Sequence, residues 1–383
     1  MMTMKSGTTF FLRLGALLLC LATPQLAAAQ DPAKPADPAP APDPDKVTLN
    51  FFKGTEVGGL VDGYYLYNSN KTAPMFHAFD ASHNNFDVSM AELWLAKAPT
   101  TDSPVGYKVR LSFGHATSVF TPASDGDYKY IEEAYGSYMV PAGKGLQIDF
   151  GKFVTNAGAE VIEAKDDWNY SRSLLFALAI PYYHTGFRAT YNVNDKLALM
   201  GNVVEGWNAV SNHNGLRTVG VAATIKPNSM VTLVENYMTG PEQLHDTVDR
   251  RNLFDSIATI TATKMVSVMA NYDYGKDTSA GVPVSWYGLA GYLKVQATSR
   301  VAIVPRLEFF KDPDGFMTGT KQTLKEGTIT GEIGLAKGLL TRIEYRRDMS
   351  DAATFATGHG VAGPATSQGS FGIGVLYSLT SKH

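Results

Sequence analysis

Cysteine is almost absent from this sequence. Cys20 is the one copy in 383 residues. It lies inside an N-terminal stretch built like an export leader, with Lys5 and Arg13, an apolar run from Gly15 to Ala22, and Ala27-Ala28-Ala29 before Gln30. Cleavage there makes residues 1–29 a signal peptide and leaves a mature chain without cysteine, which excludes a disulfide-stapled exported domain. Leu19, just before Cys20, is not the small residue that a lipoprotein signal requires. Long apolar runs are missing too: nothing after the leader approaches the ~18 residues that a spanning helix needs. Charge is sparse (18%) and nearly balanced at −3, which speaks against nucleic acid as a partner. Residues 30–46 lack anything to bury. Their Pro, Ala and Asp read as an extended, solvated periplasmic tether.

What remains is rich in Gly (36), Tyr (19) and Phe (19), and from Val47 onward its signal is alternation. Tyr107, Val109, Leu111 and Phe113 take one parity, while Lys108, Arg110, Ser112 and Gly114 take the other. The same holds for Val266, Val268, Ala270 and Tyr272, for Ile343 and Tyr345, and for Phe371, Ile373, Val375, Tyr377 and Leu379. One apolar face and one polar face is the pattern of a half-buried strand. A soluble sandwich shows it as well, so the connections decide.

Short polar links (99–104, 141–144, 193–195, 226–229, 296–299, 337–338) are interspersed with long stretches at 68–85, 116–129, 151–184, 207–215, 240–250, 275–283, 312–326 and 348–368. Short turns at one end and long loops at the other are the rhythm of an outer-membrane barrel. Residues 47–383 are therefore expected to form an all-β, antiparallel, up-and-down transmembrane barrel of about 16 strands. Tyr64, Tyr65, Tyr67, Tyr135, Tyr138, Tyr182, Tyr183, Trp286, Tyr287 and Tyr292 recur near strand ends and are expected to build the interfacial girdles.

Charges on the lipid face cost about 2–4 kcal/mol near the midplane, so the polar parity should face inward. That assigns Lys108, Arg110, Arg188, Lys294, Arg306, Arg342 and Arg346 to the lumen, opposite Asp62, Asp149, Asp273, Glu308, Glu332 and Glu344. A near-balanced lumen lacks the ring of one sign that strong ion selectivity needs. The third long stretch carries no alternation over about 30 residues, and loops of that length are usually functional. Folded inward, it would form a waist with Glu160, Glu163, Asp166 and Asp167 of one sign and Arg172 and Arg188 of the other. Its apolar run Leu174–Ile180 would pack on the wall or start a short helix capped near Ser171 or Ser173.

The runs GKFVTNAGAEVI, WNYSRSLLFALAIPYYHTGFRATY and LMGNVVEGWN resemble the bacterial type-2 β-barrel porin family (OmpL-like). The matching positions are Gly151, Lys152, Phe153, Gly158, Glu160, Asn169, Ser171, Arg172, Ser173, Pro181, His184, Thr185, Gly186, Arg188 and Tyr191. The resemblance implies a water-filled outer-membrane channel for passive diffusion of small hydrophilic solutes, without a cofactor. The expected partners are outer-membrane lipid and lipopolysaccharide, those solutes, and the barrel-assembly machinery. A homotrimer is among the assemblies that the layout allows. A plugged structural or adhesion barrel is the alternative, with an outer-membrane hydrolase behind it. The glycine pattern Gly358–Gly363 lies in a polar stretch rather than between strand and helix, so it carries no dinucleotide site. His77 and His83 lack a third ligand in register, and Ser171, Ser173 and His184 lack triad spacing. No metal site and no enzyme are expected.

Overall fold

The computed structural model describes residues 52–381 except 122, 213 and 245–246. The expected signal peptide and the whole of the expected tether lie outside those residues. Sixteen strands run in chain order: β1 Glu56–Asn68, β2 Asn85–Lys97, β3 Val105–Phe113, β4 Ile131–Val140, β5 Leu146–Val154, β6 Tyr183–Asn194, β7 Leu197–Val204 and β8 Thr218–Ile225. They continue as β9 Val231–Gly240, β10 Arg251–Thr261, β11 Val266–Ser279, β12 Val282–Gln296, β13 Val301–Asp312, β14 Gln322–Ala336, β15 Leu339–Ser350 and β16 Ser367–Thr380. Each pairs antiparallel with its sequence neighbours, and β16 closes on β1 from Gly58↔Thr380 to Asn68↔Ser370. Closure removes every free sheet edge, so each backbone group of the wall can be satisfied within it.

Burial follows the alternation. Along β13, Ala302, Val304, Arg306, Glu308, Phe310 and Asp312 are buried, whereas Ile303, Leu307 and Lys311 are exposed. The exposed parity is the apolar one: Leu93, Phe150, Phe187, Val221, Ile329 and Phe371 all stand outside. In water such a surface would aggregate; in a bilayer it is the solvated one.

Links at one end are short (98–104, 141–145, 195–196, 226–230, 262–265, 297–300, 337–338). Those at the other end are 69–84, 114–130, 155–182, 205–217, 241–250, 280–281, 313–321 and 351–366. The sequence reading misses the turn at 262–265. It also mistakes 275–283 for a long loop. There β11 and β12 run on to a two-residue turn in which Ala280 and Gly281 both take positive φ (51° and 78°), the twist-matched hairpin turn.

The girdle assignment also needs correction. Adjacent residues point to opposite faces, so Tyr65, Tyr67, Tyr138 and Tyr287 stand outside. Tyr64, Trp286 and Tyr292 are buried at 4%, 0% and 2%, on the inner parity.

Candidate functional site: the third loop and the wall it binds

The longest link, 155–182, joins β5 to β6 and is fastened to buried-parity side chains of strands across the barrel. Near its start, the Gly158 N–H donates to Asp255 on β10 (3.1 Å) and the Ala159 N–H to Asn271 on β11 (3.1 Å). Farther along, the Asn169 amide reaches Thr330 Oγ1 (2.7 Å), while the N–H groups of Tyr170 and Ser171 donate to the two Glu344 oxygens (2.8 and 3.0 Å). The Leu174 N–H donates to Glu308 (2.8 Å), the Tyr170 hydroxyl to Asp62 (2.8 Å), and Trp286 Nε1 to the Ala179 carbonyl (3.1 Å).

Wall arginines complete the seam. Arg306 donates to Glu160 (2.9 Å) and the Ser171 carbonyl (2.7 Å), and Arg346 to the Arg172 carbonyl (2.6 Å). Arg342 donates to the carbonyls of Ala164, Asp167 and Asn169. A loop has more backbone groups than it can satisfy internally, and here carboxylates and guanidinium groups of the wall take up the surplus.

The loop also fits the wall sterically. A Cβ on Gly288 would stand 2.6 Å from Leu175 Cδ2, and one on Gly374 would stand 2.4 Å from the Tyr170 ring. Glycine at these two wall positions makes room for the loop. Ser173 caps the turn Leu174–Leu178 by accepting from the Phe176 N–H (3.0 Å), as its place before an apolar run suggests. Leu174, Leu175 and Phe176 are buried, and Phe176 meets Phe79 of the first external loop at 5.7 Å and Tyr182 at 5.3 Å.

The six residues expected at a charged waist do not form one surface. Arg172 is 2% exposed and donates within its own loop, to Tyr170 (2.7 Å), Val161 (3.2 Å) and Ile162 carbonyls, beside Asp167 (3.2 Å). Glu160 is taken by Arg306 and by the Ser173 N–H (2.6 Å), and Glu163 meets Arg110. Asp166 keeps an open side chain beside Lys165 (2.5 Å). Burial pushes the Asp167 carboxyl up to about 7 against the pull of Arg172, and Glu160 adds to the rise. Arg188 pairs with Asp149 across the wall (2.8 Å).

The expected lumen charges sit on the buried parity, mostly in pairs. Lys108 meets Glu133, and Lys294 and Arg342 share Glu332 (3.1 and 2.7 Å). Arg306 bridges Glu326 (2.9 Å) and Glu160, and Arg346 pairs with Asp348 (2.8 Å). Ser171 accepts from Arg306, Ser173 is the helix cap, and His184 bonds the Gly206 carbonyl (2.9 Å), so these three have separate partners.

Three features escape the sequence reading. His77 of the first loop lies between Asp80 (2.6 Å) and Asp348 (3.3 Å). Burial and Arg346 oppose its charged form, but the two carboxylates outweigh them and raise its pKa. His83 is apart from it, accepting from the Asn68 N–H (3.0 Å). Lys165, to which the sequence reading assigns no role, borders two cavities at the short-turn end. One, of about 360 Å³, is lined by Trp94, Lys108, Arg110 and Tyr135; the other, of about 270 Å³, by Arg300, Glu332, Leu340 and Leu376. Asp255 and Asp273 face each other in register, both fully buried.

Residues 54–379 match the family described as Putative beta-barrel porin-2, OmpL-like. The chain belongs to that family. A comparison with curated proteins returns no match. Among solved structures the chain is similar to the anion-selective porin from Comamonas acidovorans (11% identity, TM-score 0.58, covering 85% of this chain and 99% of that one). It is similar also to the trimer form of OmpT from Vibrio cholerae (11%, 0.58, 85% and 99%) and to Salmonella typhi OmpF in complex with daunomycin (11%, 0.56, 85% and 97%). At such identity these likenesses speak for the fold. Family and fold together make this an outer-membrane porin.

Proposed function

We propose that this porin passes small hydrophilic solutes by diffusion through a lumen narrowed by the 155–182 loop, with Lys165 at its inner mouth. The observation that carries this reading is the hydrogen-bond seam from Asp255 to Glu344, which holds the loop against the buried parity. Because most wall charges are paired with one another, they contribute little net field. Lys165, beside the more exposed Asp166, borders the open space of both inner cavities, its side chain 22% exposed. Replacing Lys165 by Glu should move the zero-current potential in a salt gradient toward cations. An unchanged potential would remove Lys165 from the passage.

A plugged barrel is the second reading, favoured by one observation. Phe79, Phe120, Phe176 and Tyr182 pack together from the first, second and third external loops, with centroid separations of 5.3–6.2 Å. Swelling of proteoliposomes in sugars of graded size separates the two. Passage of a monosaccharide supports the channel, and exclusion of every sugar supports the plug.

We infer further that the barrel associates through β8–β10. Glu235 stands on the outward parity of β9, opposite Ala223 and accepting from Ser256 (3.0 Å), where a lipid-facing carboxylate would be unfavourable. A neighbouring barrel covering that face would shelter it. Sedimentation of the detergent-solubilised protein should then give a trimer that Glu235→Arg dissociates; a monomeric wild type would refute it.

A further inference from the structure

Four glutamates converge on one spot of the inner wall. Glu92 on β2 stands directly opposite Ser112 on β3, and Arg110, two residues along the same face, stands opposite Glu133 on β4. The next register pair is Leu111 with Ile131, so Glu132 is an extra residue in β4. A bulge of this kind re-aims a side chain. Here it turns Glu132 and Glu133, neighbours in sequence, both inward, and both are buried. The 155–182 loop brings Glu163 to the same place. Carboxylate oxygens of Glu92, Glu132 and Glu163 all lie within 4.8 Å of one another.

Two cations serve these four acids. Arg110 lies against Glu92 (3.5 Å), Glu132 (3.4 Å), Glu133 (3.6 Å) and Glu163, and Lys108 meets Glu133. Lys165 borders the same cavity as Arg110 but is held by Asp166 (2.5 Å). Two negative charges are left over, on carboxylates that wall and loop bury, and an unmatched buried carboxylate is expensive. A second observation is independent of the acids. Ser112, fully buried across from Glu92, turns its Oγ into this face with no hydrogen-bond partner among the described residues. Both Glu92 oxygens likewise lack a hydrogen-bond donor. Three carboxylates and a hydroxyl with two charges to spare fit a hard divalent cation. Calcium takes six to eight oxygens at about 2.3–2.6 Å, so its ligand atoms can lie up to about 5 Å apart. Magnesium draws its ligands closer and keeps several waters, which suits a buried set of carboxylates less well.

We propose that Glu92, Glu132 and Glu163, with the Ser112 hydroxyl, bind one calcium ion that ties the 155–182 loop to β2–β4. The hydrogen-bond seam fastens the loop mainly to β10–β15. The ion fastens its other flank through Glu163. The site rests on the inward position of the loop and not on the passage of solutes.

The test uses the folded full-length barrel in detergent, stripped of metal by a chelator and titrated with calcium chloride in a calorimeter. One saturable ion per barrel is expected, and Glu163→Gln should weaken its binding about tenfold or more. Glu235→Gln, which removes a carboxylate from the outer face, should bind like wild type. Terbium chloride gives a second readout, because an indole close to the ion sensitises its emission. The Trp94 ring lies 5.2 Å from the guanidinium carbon of Arg110, beside the site. Trp94→Phe should therefore remove most of the emission, and calcium should quench the wild-type signal by displacing terbium. Should Glu163→Gln lose its heat-modifiable gel shift, Ser112→Ala reports the site by a smaller loss of about threefold. Lack of a saturable site, wild-type affinity in the folded variants, emission unchanged by Trp94→Phe, or magnesium bound as tightly as calcium would each overturn the proposal.

Discussion

Arg306 shows how this barrel uses charge. Its fully buried guanidinium holds Glu160 and the Ser171 carbonyl of the loop with one edge and Glu326 of the wall with another. Removing one member of a buried ion network strands the others, typically at about 3–5 kcal/mol. Arg306→Gln should therefore lower the temperature of the heat-modifiable gel shift clearly, whereas Lys294→Gln, at a 23% exposed side chain, should hardly move it. Equal shifts would mean that the seam contributes no more than a surface pair. Sequence reading gives the parity of Arg306, because an outward charge is expensive. It does not give the partner, since Glu160 is 146 residues away and nothing local marks the pairing. The same limit explains Arg172. Its neighbours Glu160 to Asp167 look like one side of a transverse field until the loop is seen to turn back and use the guanidinium to bind its own carbonyls.

At the scale of elements, strands were legible and loops were not. Alternation fixes a strand because the pleat forces successive side chains to opposite faces. It fails at Gly275, which reads as a breaker. In fact a Cβ there would stand 2.0 Å from the Trp286 ring, so glycine is demanded by packing inside a continuing strand. The inner contacts of the first loop were hidden for a different reason, since His77 finds Asp348 only after the barrel closes.

Both loops have a shared pH response. Asp167 is raised to about 7, so its neutral form is favoured when folded. The stability it contributes is complete below pH ~4 and lost as pH rises through about 7. His77 is raised as well, so its contribution is complete below about pH 6.5 and is lost as pH climbs through its higher folded value. Both signs agree: the loops should loosen with rising pH. Hydrogen exchange of segment 69–84 should quicken from pH 6 to 9 and that of segment 155–182 from pH 4 to 7, after correction for intrinsic rates. Asp167→Asn should flatten the response of the second segment. Corrected rates that stay constant would contradict the assignment.

For the whole molecule, a closed 16-stranded wall supplies the hole, and we propose that the 155–182 loop sets its size. The wall follows from a two-residue period repeated along the chain, and its closure from an even number of strands with short turns at one end. The loop's position follows from contacts that no local pattern encodes, which is why its length was readable but its anchoring was not. Single-channel conductance in a planar bilayer, with and without residues 161–180, tests this most directly. The account predicts stable steps from the intact protein and larger, noisier steps from the deletion variant. Equal steps from two folded proteins would contradict it, because the loop would then lie outside the path of the ions.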